Sequence, residues 1–147
     1  MNVLILCDSK FGNTQKLADS MKAALVDTNT VHVRPASQGL RETDGIDVLL
    51  VGGPTHAHGA SQPLKVALKG LPAGALVGTR VATFDTRFRM PKVLTGSAAS
   101  SAGGLLKRAG VSLVAPAESF FVSRDNPPEL EPGELERAAS WARTITQ

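Results

Sequence analysis

Residues 9–14, Ser9-Lys10-Phe11-Gly12-Asn13-Thr14, lie where the apolar run Val3-Leu4-Ile5-Leu6-Cys7 gives way to a helical pattern. A strand that ends and at once opens a helix aims unpaired backbone N–H groups and the positive end of the helix dipole at one small volume. An anion, and a phosphate above all, fits there. Ser9 and Thr14 add hydroxyls, Gly12 lets a ligand approach the backbone closely, and Asn13 is expected to bond its own backbone in a tight turn. The nearest acid is Asp8. The stretch lacks the Gly-Lys-Ser/Thr of a Walker loop and the Gly-x-Gly-x-x-Gly of a dinucleotide fingerprint, so the phosphate it suits is that of a mononucleotide. An ordinary strand-to-helix turn with a polar cap would carry the same six residues, and the loop alone leaves both readings open.

Working outward, residues 13–26 place Leu17, Met21 and Leu25 at four-residue spacing beside Ala18 and Ala24, the apolar stripe of a helix. A short strand over Thr30 to Arg34 leads into a polar loop containing Pro35, Ser37 and Gly39, with His32 as a partly exposed strand residue. Ile46 to Val51 is a continuous apolar run, as a central parallel strand covered on both faces requires, and is expected to stop at Gly52-Gly53-Pro54. Ser61 is placed to cap a short helix with Pro63 in its first turn and Leu64 and Leu68 inward.

Arg80 to Phe84 reads as a fourth strand followed by the loop Asp85-Thr86-Arg87-Phe88-Arg89-Met90-Pro91. A helix over about Ser97 to Ala109 contains Gly103-Gly104, which costs about 1 kcal/mol per glycine against alanine and implies a close backbone contact. Val111 to Val122 is a last strand interrupted at Pro116, and a closing helix from about Pro132 turns Leu135, Ala138, Ala142 and Ile145 inward.

This succession predicts one α/β domain over residues 1–147, a doubly wound five-stranded parallel sheet in the order 2-1-3-4-5. Ligands of such sheets bind outside the carboxyl ends of the strands, at the switch point between the first and third. Three informative stretches follow the ends of strands one, three and four: the phosphate loop, Pro54-Thr55-His56-Ala57-His58-Gly59-Ala60-Ser61, and Asp85 to Pro91. Their convergence on one site is the main functional inference from pattern alone.

Composition narrows the classes. Hydrophobic residues at 42% and charged residues at 20% describe a globular chain, not a disordered one. No apolar run approaches the roughly 18 residues of a membrane helix and no basic leader opens the chain, so neither membrane insertion nor secretion is expected and a cytoplasmic location is. The net charge of +3 is scattered, and aromatics are only 4% with no tyrosine, which argues against nucleic-acid binding. Cys7, the single cysteine, is read as a buried structural thiol. His56 and His58 lack the further His or Cys needed for a tetrahedral metal site, since His32 and Cys7 lie in strands, and no metal is expected.

Asp8-Ser9-Lys10-Phe11-Gly12-Asn13-Thr14, Gly52-Gly53-Pro54-Thr55-His56, Phe84-Asp85-Thr86-Arg87 and Gly96-Ser97-Ala98-Ala99 together resemble the flavodoxin family, most closely short-chain flavodoxin-like proteins. The resemblance runs over nearly the whole chain. It implies FMN as cofactor, with Ser9, Lys10, Phe11, Gly12, Asn13 and Thr14 at its phosphate. It further implies Pro54, Thr55, His56, His58 and Gly59 on one side of the ring and Asp85, Thr86, Arg87 and Phe88 on the other. Phe11 stands where the family pattern has a threonine, and the ring loops lack the usual tryptophan and tyrosine, the lone Trp141 falling in the closing helix as packing. The chain is also not acidic, as typical flavodoxins are.

The implied function is a one-electron carrier without catalytic side chains, working between a reductase and an acceptor protein as a monomer or weak dimer. The alternatives are an FMN-dependent NAD(P)H:quinone-type reductase, whose flavin NAD(P)H alone would bleach, and a flavodoxin-fold binding module that has lost FMN.

Overall fold

A computed structural model describes residues 1–40, 42–55 and 59–147. His56 and His58 lie outside the described residues. The strands are β1 (Asn2–Cys7), β2 (Thr30–Pro35), β3 (Val48–Pro54), β4 (Arg80–Phe88) and β5 (Glu118–Val122). They form one all-parallel sheet in the order β2-β1-β3-β4-β5, as the sequence predicts. The helices are α1 (Asn13–Leu25), α2 (Gln62–Lys69), α3 (Lys92–Thr95), α4 (Ala98–Arg108) and α5 (Glu134–Thr146), with one 3₁₀ turn at Ala36–Gln38.

The continuous apolar runs are explained by two cores. In β1, Val3, Ile5 and Cys7 face the layer of α1 and α5, where they meet Leu17, Met21, Ala138, Ala142 and Ile145. Leu4 and Leu6 face the opposite layer with Leu64 and Leu68 of α2 and Ala102 and Leu106 of α4. Alternating side chains of a central strand thus both find apolar cover. Phe84, Phe120 and Trp141 pack edge to face at centroid separations of 6.3, 5.9 and 6.0 Å, so Trp141 serves packing.

Several boundaries differ from the sequence reading. β3 does not stop at Gly52 but runs to Pro54, and β4 runs through Asp85, Thr86 and Arg87 to Phe88. Register is the reason: β3 continues to pair with β4 as far as Pro54 opposite Thr86, while β5 pairs with β4 from Phe84 to Phe88. The glycine pair fits this course. A Cβ on Gly52 would overlap the ring of Phe84, its register partner, and one on Gly53 would stand 2.6 Å from Leu64 Cδ1.

β5 starts at Glu118, with Leu113 joining β4 only by an isolated bridge to Val81. α5 begins at Glu134, after Pro132, and Leu135 is 39% exposed instead of inward. α3 is a short helix the pattern did not announce. In α4 the close contact expected of the glycine pair exists at Gly103, where a Cβ would stand 3.0 Å from Leu113 Cδ1, but Gly104 has open space. Ser61 takes the N-cap position of α2 without a side-chain bond to the helix.

The outer edge of β5 is closed by α5. Glu134 accepts from the Phe121 N–H at 2.7 Å and from Arg137, which also reaches Glu118 at 2.5 Å, bonds the Ser119 carbonyl and lies over the Phe120 ring. Burial alone would raise the Glu134 carboxyl, but the bonds from Arg137 and Phe121 hold it below its ordinary value.

Cys7 is buried, and its thiol is pushed up to about 11, first by burial and then by the charges of Asp19 and Asp8. At pH 8 its thiolate fraction is therefore on the order of 0.1%. We expect native protein to resist an aromatic disulfide reagent at pH 8 and to react with it within seconds in denaturant. Equal rates in the two states would show the thiol to be accessible.

Candidate functional site

The site grows from the turn between β1 and α1. Gly12 occupies the N-cap with φ 85°, a left-handed conformation that costs glycine little and other residues more. The first intrahelical bond runs from Lys16 N–H to Gly12 C=O at 3.0 Å, so the N–H groups of Asn13 and Thr14 precede the ladder. Gln15 N–H is taken by Ser9 Oγ at 3.3 Å. Asn13 does not bond its own turn as expected: its amide donates to Pro128 C=O at 2.8 Å and ties the loop to the segment after β5. Thr14 is buried, and its Oγ1 has no hydrogen-bond partner among the described residues.

Beside this turn lies a cavity of about 350 Å³ at the carboxyl ends of the strands, within the range of small-molecule sites, about 300–1,000 Å³. Lys10, Phe11, Asn13 and Thr14 line it from the first loop, Pro54 and Thr55 from the end of β3, and Thr86, Arg87 and Phe88 from the end of β4. Nine of the residues singled out in the sequence thus meet at one opening. Ser9, Gly12, Gly59 and Asp85 are not part of its wall. Ser9 and Gly12 shape the turn from behind, and Gly59 sits where a Cβ would be 3.4 Å from Ser101 Oγ of α4.

Asp85 departs most from its expected place. It is fully buried, with Oδ2 accepting from Ser97 Oγ at 2.5 Å and from the Ala99 N–H at 3.0 Å. A strand side chain pointing to the α2–α4 face meets the start of α4, and its carboxylate anchors that helix N-terminus. Thr55 completes the same anchor, donating its N–H to Thr86 C=O at 3.0 Å and accepting the Ala98 N–H on Oγ1 at 3.2 Å.

Met90, which the sequence offered only as part of the stretch Asp85 to Pro91, also lines the cavity, as do Leu94, Thr95, Val122 and Pro128, which were not singled out. Met90, Leu94 and Thr95 belong to the turn and short helix after β4, where the missed α3 folds the chain back over the opening. Val122 and Pro128 arrive from the other end of the sequence. Phe11 is 51% exposed and Phe88 40%, which leaves flat apolar faces at the cavity mouth. No cluster of three metal-ligating side chains occurs among the described residues, and none of the described helices is long and apolar enough to cross a membrane.

The architecture is that of flavodoxins. Flavodoxin 1 from Bacillus cereus superposes with a TM-score of 0.78 over 99% of this chain and 97% of its own, at 18% identity. A Fusobacterium nucleatum flavodoxin, solved bound to flavin mononucleotide, gives 0.69 over 99% and 96%, at 13% identity. The rubredoxin oxygen:oxidoreductase of Desulfovibrio gigas matches 98% of this chain at a TM-score of 0.73 and 19% identity, over only 35% of its own length. No protein-family model matches the sequence, and no curated protein matches it. The fold is flavodoxin-like, as the motifs implied.

Proposed function

We propose that the protein binds FMN and acts as a one-electron carrier. The observation that carries this reading is Thr14 Oγ1. Of the buried side-chain atoms that lack a partner among the described residues, it alone belongs to a residue lining the cavity, and it stands in the first turn of α1 beside N–H groups outside the helical ladder. A buried hydroxyl without a partner costs about 1–3 kcal/mol, and a phosphate oxygen would relieve it. Thr14, the N–H groups of Asn13 and Thr14, and Lys10 would hold the phosphate. Thr55, Thr86, Arg87 and the apolar faces of Phe11 and Phe88 would hold the ring and keep water from it. Bound FMN would supply the electron chemistry, and no side chain need transfer a proton. A reductase and an acceptor protein would be its partners, meeting the exposed cavity mouth.

A visible spectrum tests the reading. Protein purified, or mixed with FMN and desalted, is expected to show an oxidised-flavin spectrum that dithionite bleaches. A flat spectrum after FMN addition would overturn it. Bleaching by NAD(P)H alone would shift the function to a reductase.

A further inference from the structure

At the β4 end of the cavity, Arg87 carries a charge that no carboxylate among the described residues balances. Its Nε donates to Ser119 Oγ at 2.8 Å and its Nη1 to Met90 C=O at 2.6 Å, while the guanidinium lies 5.1 Å from the Phe121 ring centroid. These partners, and the Phe88 carbonyl 3.4 Å from Nη1, are all neutral. The acids that could have compensated it are engaged elsewhere: Asp85 is buried against the start of α4, and Glu131 pairs with Arg89 at 3.0 Å. Among the described residues the other ion pairs are those of Arg137 with Glu118 and Glu134. Among the described residues the ionisable side chains lining the cavity are Lys10 and Arg87, both cations. Lys10 stands in the phosphate loop, so Arg87 is the fixed charge of the opposite wall. A planar guanidinium bonded on two edges and stacked on a ring is held in place in a way a lysine would not be.

We propose that Arg87 sets the redox bias of the site by favouring the reduced, more negative flavin over the oxidised one. The inference rests on the FMN reading above. A potential is a ratio of affinities for the two oxidation states, and tenfold tighter binding of the reduced form corresponds to 59 mV in a one-electron couple. A unit charge held in a half-buried wall is screened far less than one in water, so an effect of about tenfold is in reach. Ser119 and the Met90 carbonyl fix the cation without neutralising it.

The test is anaerobic redox titration of the FMN-loaded wild type and of Arg87→Ala, Arg87→Met and Arg87→Lys, at low and high salt. Arg87→Met keeps the aliphatic stem over Phe121 and guards against a variant that fails to fold. A merely structural arginine, holding the Met90 turn, would weaken the affinity for oxidised FMN in all three variants without ordering their potentials by charge. The proposal expects Arg87→Ala and Arg87→Met to lower the last one-electron potential by about 59 mV, the equivalent of tenfold. Arg87→Lys is expected to keep more than half of the wild-type bias, and added salt to shrink the differences. Unchanged or raised potentials in the neutral variants, or a fall in Arg87→Lys as large as in Arg87→Ala, would overturn it while leaving FMN binding intact. Failure of the wild type to take up FMN would instead overturn the functional reading, and this inference with it.

Discussion

Gly52→Ala is expected to destabilise the protein by about 3 kcal/mol, the upper part of the range for overpacking a filled core. For a chain of this size that lowers the thermal midpoint by about 10 °C. The added methyl would fall on the ring of Phe84, which is fully buried and cannot swing aside, because Phe120 and Trp141 hold its edges. Backbone movement is no easier, since Gly52 is paired to Cys7 on one side and Phe84 on the other in the middle of the sheet. Gly104→Ala is the control: a methyl there meets nothing within 4 Å in an α-helix, so it is expected to raise stability by about 0.5–1 kcal/mol. Urea denaturation of the two variants checks both signs. A Gly52→Ala protein within about 0.5 kcal/mol of wild type would mean that the ring does not rest on the glycine.

Thr14→Val should move stability and binding in opposite directions. Without a ligand, the variant replaces a buried hydroxyl that has no partner by a methyl of similar volume, and is expected to gain about 1 kcal/mol. With FMN it loses a donor to the phosphate, and affinity should fall by about 1–3 kcal/mol, tenfold or more. Riboflavin, which has no phosphate, should bind wild type and variant alike and far more weakly than FMN does. Charge-assisted bonds at a phosphate are roughly twice as strong as neutral ones, which is why this end of the ligand should dominate affinity. Fluorescence titration with both flavins and a melt of the ligand-free proteins read the two effects separately. Equal affinity of wild type for FMN and riboflavin would contradict the assignment of the α1 turn to phosphate.

The sheet order was legible because the apolar runs at Val3 to Cys7 and Ile46 to Val51 read as strands covered on both faces, as the two cores bear out, and right-handed crossovers then set which strands are neighbours. The turn between β1 and α1 was legible because its residues are contiguous. β4 was cut short because Asp85, Thr86 and Arg87 are polar, and only pairing to β3 and β5 shows that polar residues at a strand end can still be inside the ladder. The family resemblance grouped Asp85 with Thr86, Arg87 and Phe88, and those three line the cavity. The Asp85 carboxylate is instead taken up by Ser97 and the Ala99 N–H at the start of α4, a tertiary contact that no local pattern marks. Val122 and Pro128 could not be assigned to the site from local pattern, since nothing in their own segment marks the cavity they line or, for Pro128, the bond to Asn13 115 residues earlier. Leu135 was placed inward by its helical spacing from Ala138, Ala142 and Ile145, whereas Glu134, one residue earlier and four before Ala138, takes the buried position against β5.

The bond from the Asn13 amide to the Pro128 carbonyl joins the beginning of the chain to its last fifth. During synthesis, α1 leaves the ribosome well before the helix that covers its inward face, α5, and before the Pro128 carbonyl, 115 residues after Asn13, that steadies its first turn. Leu17, Met21 and Leu25 therefore stay without that cover until α5 has been made. A topology that rewards contacts this distant pays loop-closure entropy before it gains burial, which slows folding and favours chaperone capture of the nascent chain. The loop before α1 is in this way completed only after the segment following β5 has been made.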